Sequence, residues 1–221
     1  MPKPIQFSYE KKAPKRDASF LIVVCEGMNR ETDYFRFFDG MSSRIRIVSV
    51  NAGKNSAPPQ LVTKAIETER ELEISPEVDR LWFVIDTDRW GKHIRDLRNE
   101  CKQHAHWSVA QSNPCFEVWL YCHVKTALPV LPDITQCKHW KPFVASIIKG
   151  GFSPDYHPIA IEAAANNARV ACQETGDTPA PGSTQVWRLA EEMLLVIRRE
   201  LDTLKHKFHA PVLVEQETDN D

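Results

Sequence analysis

Two stretches of the chain, Phe20–Val24 and Leu81–Ile85, are apolar without interruption over the length of a strand. Such runs suit strands covered on both faces, where no position has to meet water. Arg46–Val50 reads as another strand, and Trp107–Ala110 as a short fourth. The segments between them have helical spacing. Residues 31–40 carry Tyr34, Phe35, Phe37 and Phe38, and residues 61–72 place Leu61, Val62, Ala65 and Ile66 on one side with charge on the other. Residues 92–104 are polar and amphipathic. Strands alternating with helices predict an α/β fold with a parallel sheet of about four strands flanked by helices.

Turn chemistry places the boundaries. Asn51–Pro59 is a loop rich in turn formers. Ser112-Asn113-Pro114 reads as a helix start, with Asn113 as N-cap and Pro114 at the first helical position. That puts Glu117 one turn into the helix. Beyond residue 128, Pro129 and Pro132 make a connector, followed by helical segments near 140–149, 158–174 and 184–206. The expected organisation is a flexible basic arm over 1–17 and an α/β core over 18–127. A helical C-terminal region over 128–210 packs on that core, and an acidic disordered tail covers 211–221.

Composition narrows the function classes. The 221 residues are 42% hydrophobic and 26% charged, with a formal net charge of −2. No global basic field announces a polyanion partner, so such a partner needs a local patch, metal ions or a helper protein. No apolar run approaches the roughly 20 residues of a membrane span. Lys11, Lys12, Lys15 and Arg16 occupy the place of a secretory apolar segment, so a cytoplasmic protein is expected. None of the six cysteines forms Cys-x-x-Cys, and no disulfide framework is expected. Cys122-His123 and Cys137-Lys138-His139 fit no common structural zinc spacing.

The candidate chemistry comes from acids at strand ends. In an open parallel sheet, ligands bind outside the carboxyl ends of the strands. Glu26 follows the first apolar strand by two residues, and Asp86 and Asp88 follow the third. In extended chain, residues i and i+2 point the same way, so Asp86 and Asp88 can face one cation with Thr87 turned aside. Hard cations such as Mg²⁺ or Mn²⁺ take carboxylate oxygens together with water and phosphate. The competing reading is that both aspartates only cap the next helix. Arg30, Lys54, Arg89 and Lys92 lie in loops or helix starts near the same edge and are candidate phosphate contacts. His93 is a candidate general base.

Three strings go further. They are Cys25-Glu26-Gly27…Glu31-Thr32-Asp33-Tyr34-Phe35, Val84-Ile85-Asp86-Thr87-Asp88-Arg89, and Ser112-Asn113-Pro114-Cys115-Phe116-Glu117-Val118-Trp119-Leu120. In this order they resemble the RloB-like family, Toprim-fold proteins of restriction loci and phage abortive-infection systems that include the second component of AbiL. The resemblance spans roughly residues 20 to 123, and Gly182-Ser183-Thr184…Val186 resembles a C-terminal family element. Arg30-Glu31-Thr32 stands where the family usually has Lys-Thr-Glu, and Asp86-Thr87-Asp88 where it usually has Asp-Arg-Asp.

The resemblance implies a Toprim-like, Rossmann-like domain and a Mg²⁺- or Mn²⁺-dependent nuclease acting in anti-phage defence on RNA, tRNA included, or on DNA. Glu26, Asp86 and Asp88 would hold the metal. Glu117 would join them in catalysis, with Asn113 beside the substrate. Two other readings remain open: a regulated binding subunit of a separately encoded ATPase, and a primase- or topoisomerase-type phosphoryl-transfer domain. The chain has no Gly-x-x-x-x-Gly-Lys-Ser/Thr loop, so ATP dependence would come from a partner. A homo-oligomer is compatible with all three.

Overall fold

Alternation within each strand sends neighbouring side chains to opposite faces, and here both faces are covered. The computed structural model describes residues 19–26, 30–49 and 58–208, without the side chains of Ser49, Asp88, Arg89, Lys92 and Phe208. The first half runs β1 (Leu21–Cys25), α1 (Arg30–Arg36), β2 (Ile45–Ser49), α2 (Pro58–Leu72), β3 (Arg80–Asp86), α3 (Thr87–Cys101), β4 (Trp107–Asn113) and α4 (Glu117–Cys122). The second half is α5 (Cys137–Ile147), a 3₁₀ turn (His157–Ala160), α6 (Ile161–Ala171), β5 (Glu174–Thr175), β6 (Thr178–Pro179), β7 (Ser183–Thr184) and α7 (Val186–Phe208). The arm over 1–17, Lys54 and the tail over 211–221 lie outside the described residues.

The main sheet has the order β2-β1-β3-β4-β7. Its first four strands are parallel, as the alternation predicts. A fifth strand, β7, joins antiparallel through Ser112 with Thr184 and Asn113 with Ser183. Two residues are too few to leave a period in the sequence, which is why this edge strand and the small β5–β6 hairpin have no hydrophobic signature.

One face of the sheet buries Ile22, Val24, Leu81, Phe83 and Ile85 against Leu61 and Ala65 of α2 and Ile94 and Leu97 of α3. The other buries Leu21, Val23, Cys25, Trp82 and Val84 against Tyr34, Phe35 and Phe38 of α1. Trp119, Trp140, Ile161, Leu189 and Met193 continue that second core, so the later helices share it with β1 and β3. Trp82 also gives its indole N–H to Glu192 of α7 at 2.8 Å. Among the described residues, no helix is long and apolar enough to cross a membrane.

The helix start expected at Asn113 is displaced. β4 runs on through Asn113, the Asn113–Pro114 bond is cis, and α4 begins only at Glu117. Asn113 is not an N-cap, because the end of the sheet uses it. Its carbonyl accepts from Gly182 at 2.7 Å, and its side-chain amide donates to the Pro179 carbonyl at 2.8 Å. Glu117 is therefore the first residue of its helix rather than the fourth.

Candidate metal centre

The chain leaves β1 to form β2 on one side, then crosses back to form β3 on the other. Adjacent parallel strands whose connections diverge open a crevice at their carboxyl ends. Glu26 follows β1, and Asp86 ends β3. The register holds them together: Cys25 pairs with Val84, and the Glu26 amide donates to the Val84 carbonyl at 3.2 Å.

Glu26 is buried, at 5% exposure. Its Oε2 accepts the backbone N–H of Asp86 at 3.3 Å, and its Oε1 accepts the indole N–H of Trp90. Both carboxylate oxygens are thus oriented by donors from the β3–α3 junction, Asp86 at the end of the strand and Trp90 in the first turn of the helix. Asp86 has extended backbone at φ −96°, ψ 146°, and stands at the N-cap position of α3. Its side chain makes no capping hydrogen bond, and its Oδ1 is shielded from solvent. The capping role offered by its position is not the one its carboxylate fills.

Thr87 opens the helix, so the step from Asp86 to Asp88 crosses a strand-to-helix junction and the extended i, i+2 argument does not apply to it. The side chains of Asp88, Arg89 and Lys92 lie outside the description. The junction itself is well anchored. Thr87 donates its hydroxyl to the Ser112 carbonyl at 2.7 Å and accepts from Gln111 Nε2 at 2.8 Å, while its amide donates to the Pro114 carbonyl at 3.0 Å. Gln111 Oε1 in turn accepts from Arg98 at 2.8 Å, and Arg98 also donates to Gln185 Oε1 at 2.7 Å. Gln111 and Gln185 are both buried. This polar network fixes the first turn of α3 on the end of β4, and sequence reading missed it. Its one signal is the pair of glutamines bordering apolar runs.

Glu117 sits in a second cluster. It is 2% exposed, and its Oε1 receives Arg30 Nη1 at 2.7 Å. Its Oε2 lies 3.4 Å from Cys137 Sγ, and Cys137 is disulfide-bonded to Cys115. The ligand atoms of Cys115, Glu117 and Cys137 all lie within 4.8 Å of one another, a Cys/Glu cluster able to coordinate a metal ion in its dithiol form. Among the described residues this is the one group of three at that spacing, so Glu117 groups with two cysteines rather than with Glu26 and Asp86. The sequence suggests no disulfide framework, and the structure has one bridge, with Cys25, Cys101, Cys122 and Cys172 left as thiols. Residues 115 and 137 meet because α5 folds back over α4, which no local spacing reveals.

Arg30 is half-exposed and already paired with Glu117. Its free side lines a cavity of about 320 Å³ with Asp33, Lys141 and Phe152. His93 faces Asp96 at 3.9 Å, and its ring lies 6.2 Å from that of Trp90.

Comparison with curated proteins and with solved structures returns no match. A model of the family described as RloB-like protein matches residues 21–193. That span runs from β1 into α7 and holds Glu26, Asp86, Glu117 and both bridged cysteines, and the chain belongs to the RloB-like family.

Proposed function

We propose that this chain is a Toprim-type, divalent-metal-dependent nuclease that hydrolyses nucleic-acid phosphodiesters, as an effector of anti-phage defence. The observation that carries the reading is the pairing of Glu26 and Asp86 at the switch point of the sheet, joined by the Asp86 N–H to Glu26 contact of 3.3 Å. Their donor set is all oxygen and anionic, which suits Mg²⁺ or Mn²⁺ rather than a soft metal. Asp88, in the first turn of α3, is the third acid of the reading. When bound, the cation would polarise a phosphoryl oxygen and lower the pKa of a bound water.

The chain's own residues supply orientation. Trp90 and the Asp86 amide orient the Glu26 carboxylate at the crevice, where it would serve as an anionic oxygen ligand. The Thr87–Gln111–Arg98 network holds the turn that carries Asp88. Glu117 enters through Arg30, whose guanidinium it fixes beside the open cavity as a phosphate contact. Lys54, Arg89 and Lys92 remain candidate phosphate contacts on their sequence positions alone, and Asn113 supports the substrate edge through its bond to Pro179.

The test is cleavage of RNA and DNA substrates in Mg²⁺ or Mn²⁺ by wild type, Glu26→Gln and Asp86→Asn, with and without a co-expressed ATPase partner. Cleavage lost in both variants is expected. Equal cleavage by all three proteins would sink the proposed centre.

A further inference from the structure

We propose that Cys115, Cys137 and Glu117 form a second metal site, for a soft divalent cation of the zinc class, which opens when the Cys115–Cys137 disulfide is reduced. This site is separate from the Glu26–Asp86 centre and differs from it in chemistry. Two thiolates and a carboxylate select Zn²⁺ over Mg²⁺, because sulfur is a soft donor.

Three observations carry the inference. The first is convergence. Cys115 lies just before α4, Glu117 is the first residue of α4, and Cys137 is the first residue of α5, yet their ligand atoms fall within 4.8 Å. The Cα atoms of the two cysteines are 5.7 Å apart. Zinc–sulfur bonds of about 2.3 Å in a tetrahedron put the sulfurs roughly 3.7 Å apart, which needs side-chain rotation and no movement of the helices.

The second observation is the state of Glu117. Its carboxylate is 2% exposed, and Oε1 is taken by Arg30. Oε2 faces Cys137 Sγ at 3.4 Å. A disulfide sulfur has no hydrogen to give, so in the bonded pair that oxygen meets an atom that cannot donate. A buried carboxylate oxygen in that position is costly. A thiol at Cys137 can satisfy it, and so can a cation.

The third is charge. The Arg30–Glu117 pair sums to zero, and so does a divalent cation with two thiolates. Loading the site therefore buries no net charge, the condition a nearly closed cluster has to meet. Three protein ligands leave one tetrahedral position open.

The chemistry balances. A dithiol of the thioredoxin class gives two electrons and two protons to the disulfide and is itself oxidised to a disulfide. The products are two thiols at Cys115 and Cys137. As the metal binds, those two protons pass to solvent. Oxidation and metal loading are therefore mutually exclusive at the same two sulfurs.

The experiment uses the full chain, reduced with a phosphine under anaerobic conditions and titrated with Co²⁺. One equivalent should produce a thiolate-to-cobalt charge-transfer band, which Zn²⁺ removes by competition and Mg²⁺ does not. The unreduced protein should give no band. Cys115→Ser and Cys137→Ser should each lose it, and Cys122→Ser should keep it. Glu117→Gln should weaken Zn²⁺ binding by at least about 10-fold. Peptide mapping after alkylation, with and without Zn²⁺, covers the case of a misfolded variant: in wild type, the metal should protect Cys115 and Cys137. A reduced wild type with no band, a band that survives both serine variants, or equal alkylation with and without Zn²⁺ overturns the site. None of these readouts depends on nuclease activity, so this site and the Glu26–Asp86 centre stand or fall separately.

Discussion

Trp90 donates its indole N–H to Oε1 of Glu26, reaching from the first turn of α3 to the residue after β1. Hydrogen-bond donors behind a metal ligand orient it, and losing one typically costs about 10–100-fold in metal affinity. Trp90→Phe keeps an aromatic ring and removes the donor. Mn²⁺ affinity measured by calorimetry should fall by about that factor while far-ultraviolet circular dichroism is unchanged. Wild-type affinity in this variant would remove Glu26 from the metal set.

The Arg30–Glu117 pair invites a double-mutant cycle. Arg30→Met strips a charged partner from a carboxylate that is 2% exposed. Arg30 itself is 53% exposed, so solvent screens part of the effect, and a loss of about 1–2 kcal/mol is expected. Adding Glu117→Gln removes the stranded charge and should recover part of that loss. If Arg30 also contacts phosphate, Arg30→Met should lower the slope of nucleic-acid affinity against log salt by about 1. Urea midpoints and a salt titration read the two effects independently.

His123 makes stability depend on pH. Its Nδ1 lies 3.1 Å from the Trp119 carbonyl and therefore carries the hydrogen, while Nε2 accepts from the Tyr34 hydroxyl at 3.2 Å. Burial lowers its pKa from 6.5 to about 3, and His157 shifts the same way for the same reason. Between pH 3 and 6.5 the unfolded chain binds a proton that the folded chain refuses. Stability should fall as pH drops through that window, by up to about 1.4 kcal/mol per pH unit for His123, and should not depend on this group above it. His123→Asn should be less stable at pH 7 yet lose less between pH 7 and pH 5. Parallel melting-temperature curves for the two proteins would show that His123 is not the group that titrates.

The long-range order was legible wherever one physical signal dominated. Unbroken apolar runs marked β1 and β3 because both faces of the sheet are covered, and the acids beside them fell at the switch point because topology puts strand ends there. The misread positions are those where tertiary partners outbid local preference. Asn113-Pro114 has the chemistry of a helix start, but β7 claims the backbone of Asn113. Asp86-Thr87-Asp88 has the spacing of an extended pair, but Thr87 finds partners on β4 and starts a helix. Cys115 and Cys137 carry no local signal, since only the packing of α5 over α4 makes them neighbours.

Gly182 holds the edge that displaced the helix start. Its φ is +80°, and a Cβ there would sit 2.7 Å from both Ile134 Cδ1 and Leu128 Cδ2. Its amide donates to Asn113 at 2.7 Å, and three residues on, the Gln185 amide donates to Gln111 at 2.8 Å. Gly182→Ala therefore meets two penalties, the left-handed backbone at about 1–2 kcal/mol and a steric one. Gly176 separates them: its φ is +61°, and a Cβ there meets nothing within 4 Å. Gly176→Ala should cost the backbone term alone. Gly182→Ala should cost more, and hydrogen exchange of the 182 and 185 amides should quicken before that of α6. Because Gln185 is tied through Arg98 and Gln111 to Thr87, the same variant should loosen the first turn of α3 and weaken Mn²⁺ binding, although it lies in the turn before β7. Equal destabilisation by the two alanines would mean that the side chains over Gly182 yield freely, and that β7 is not pinned from that side.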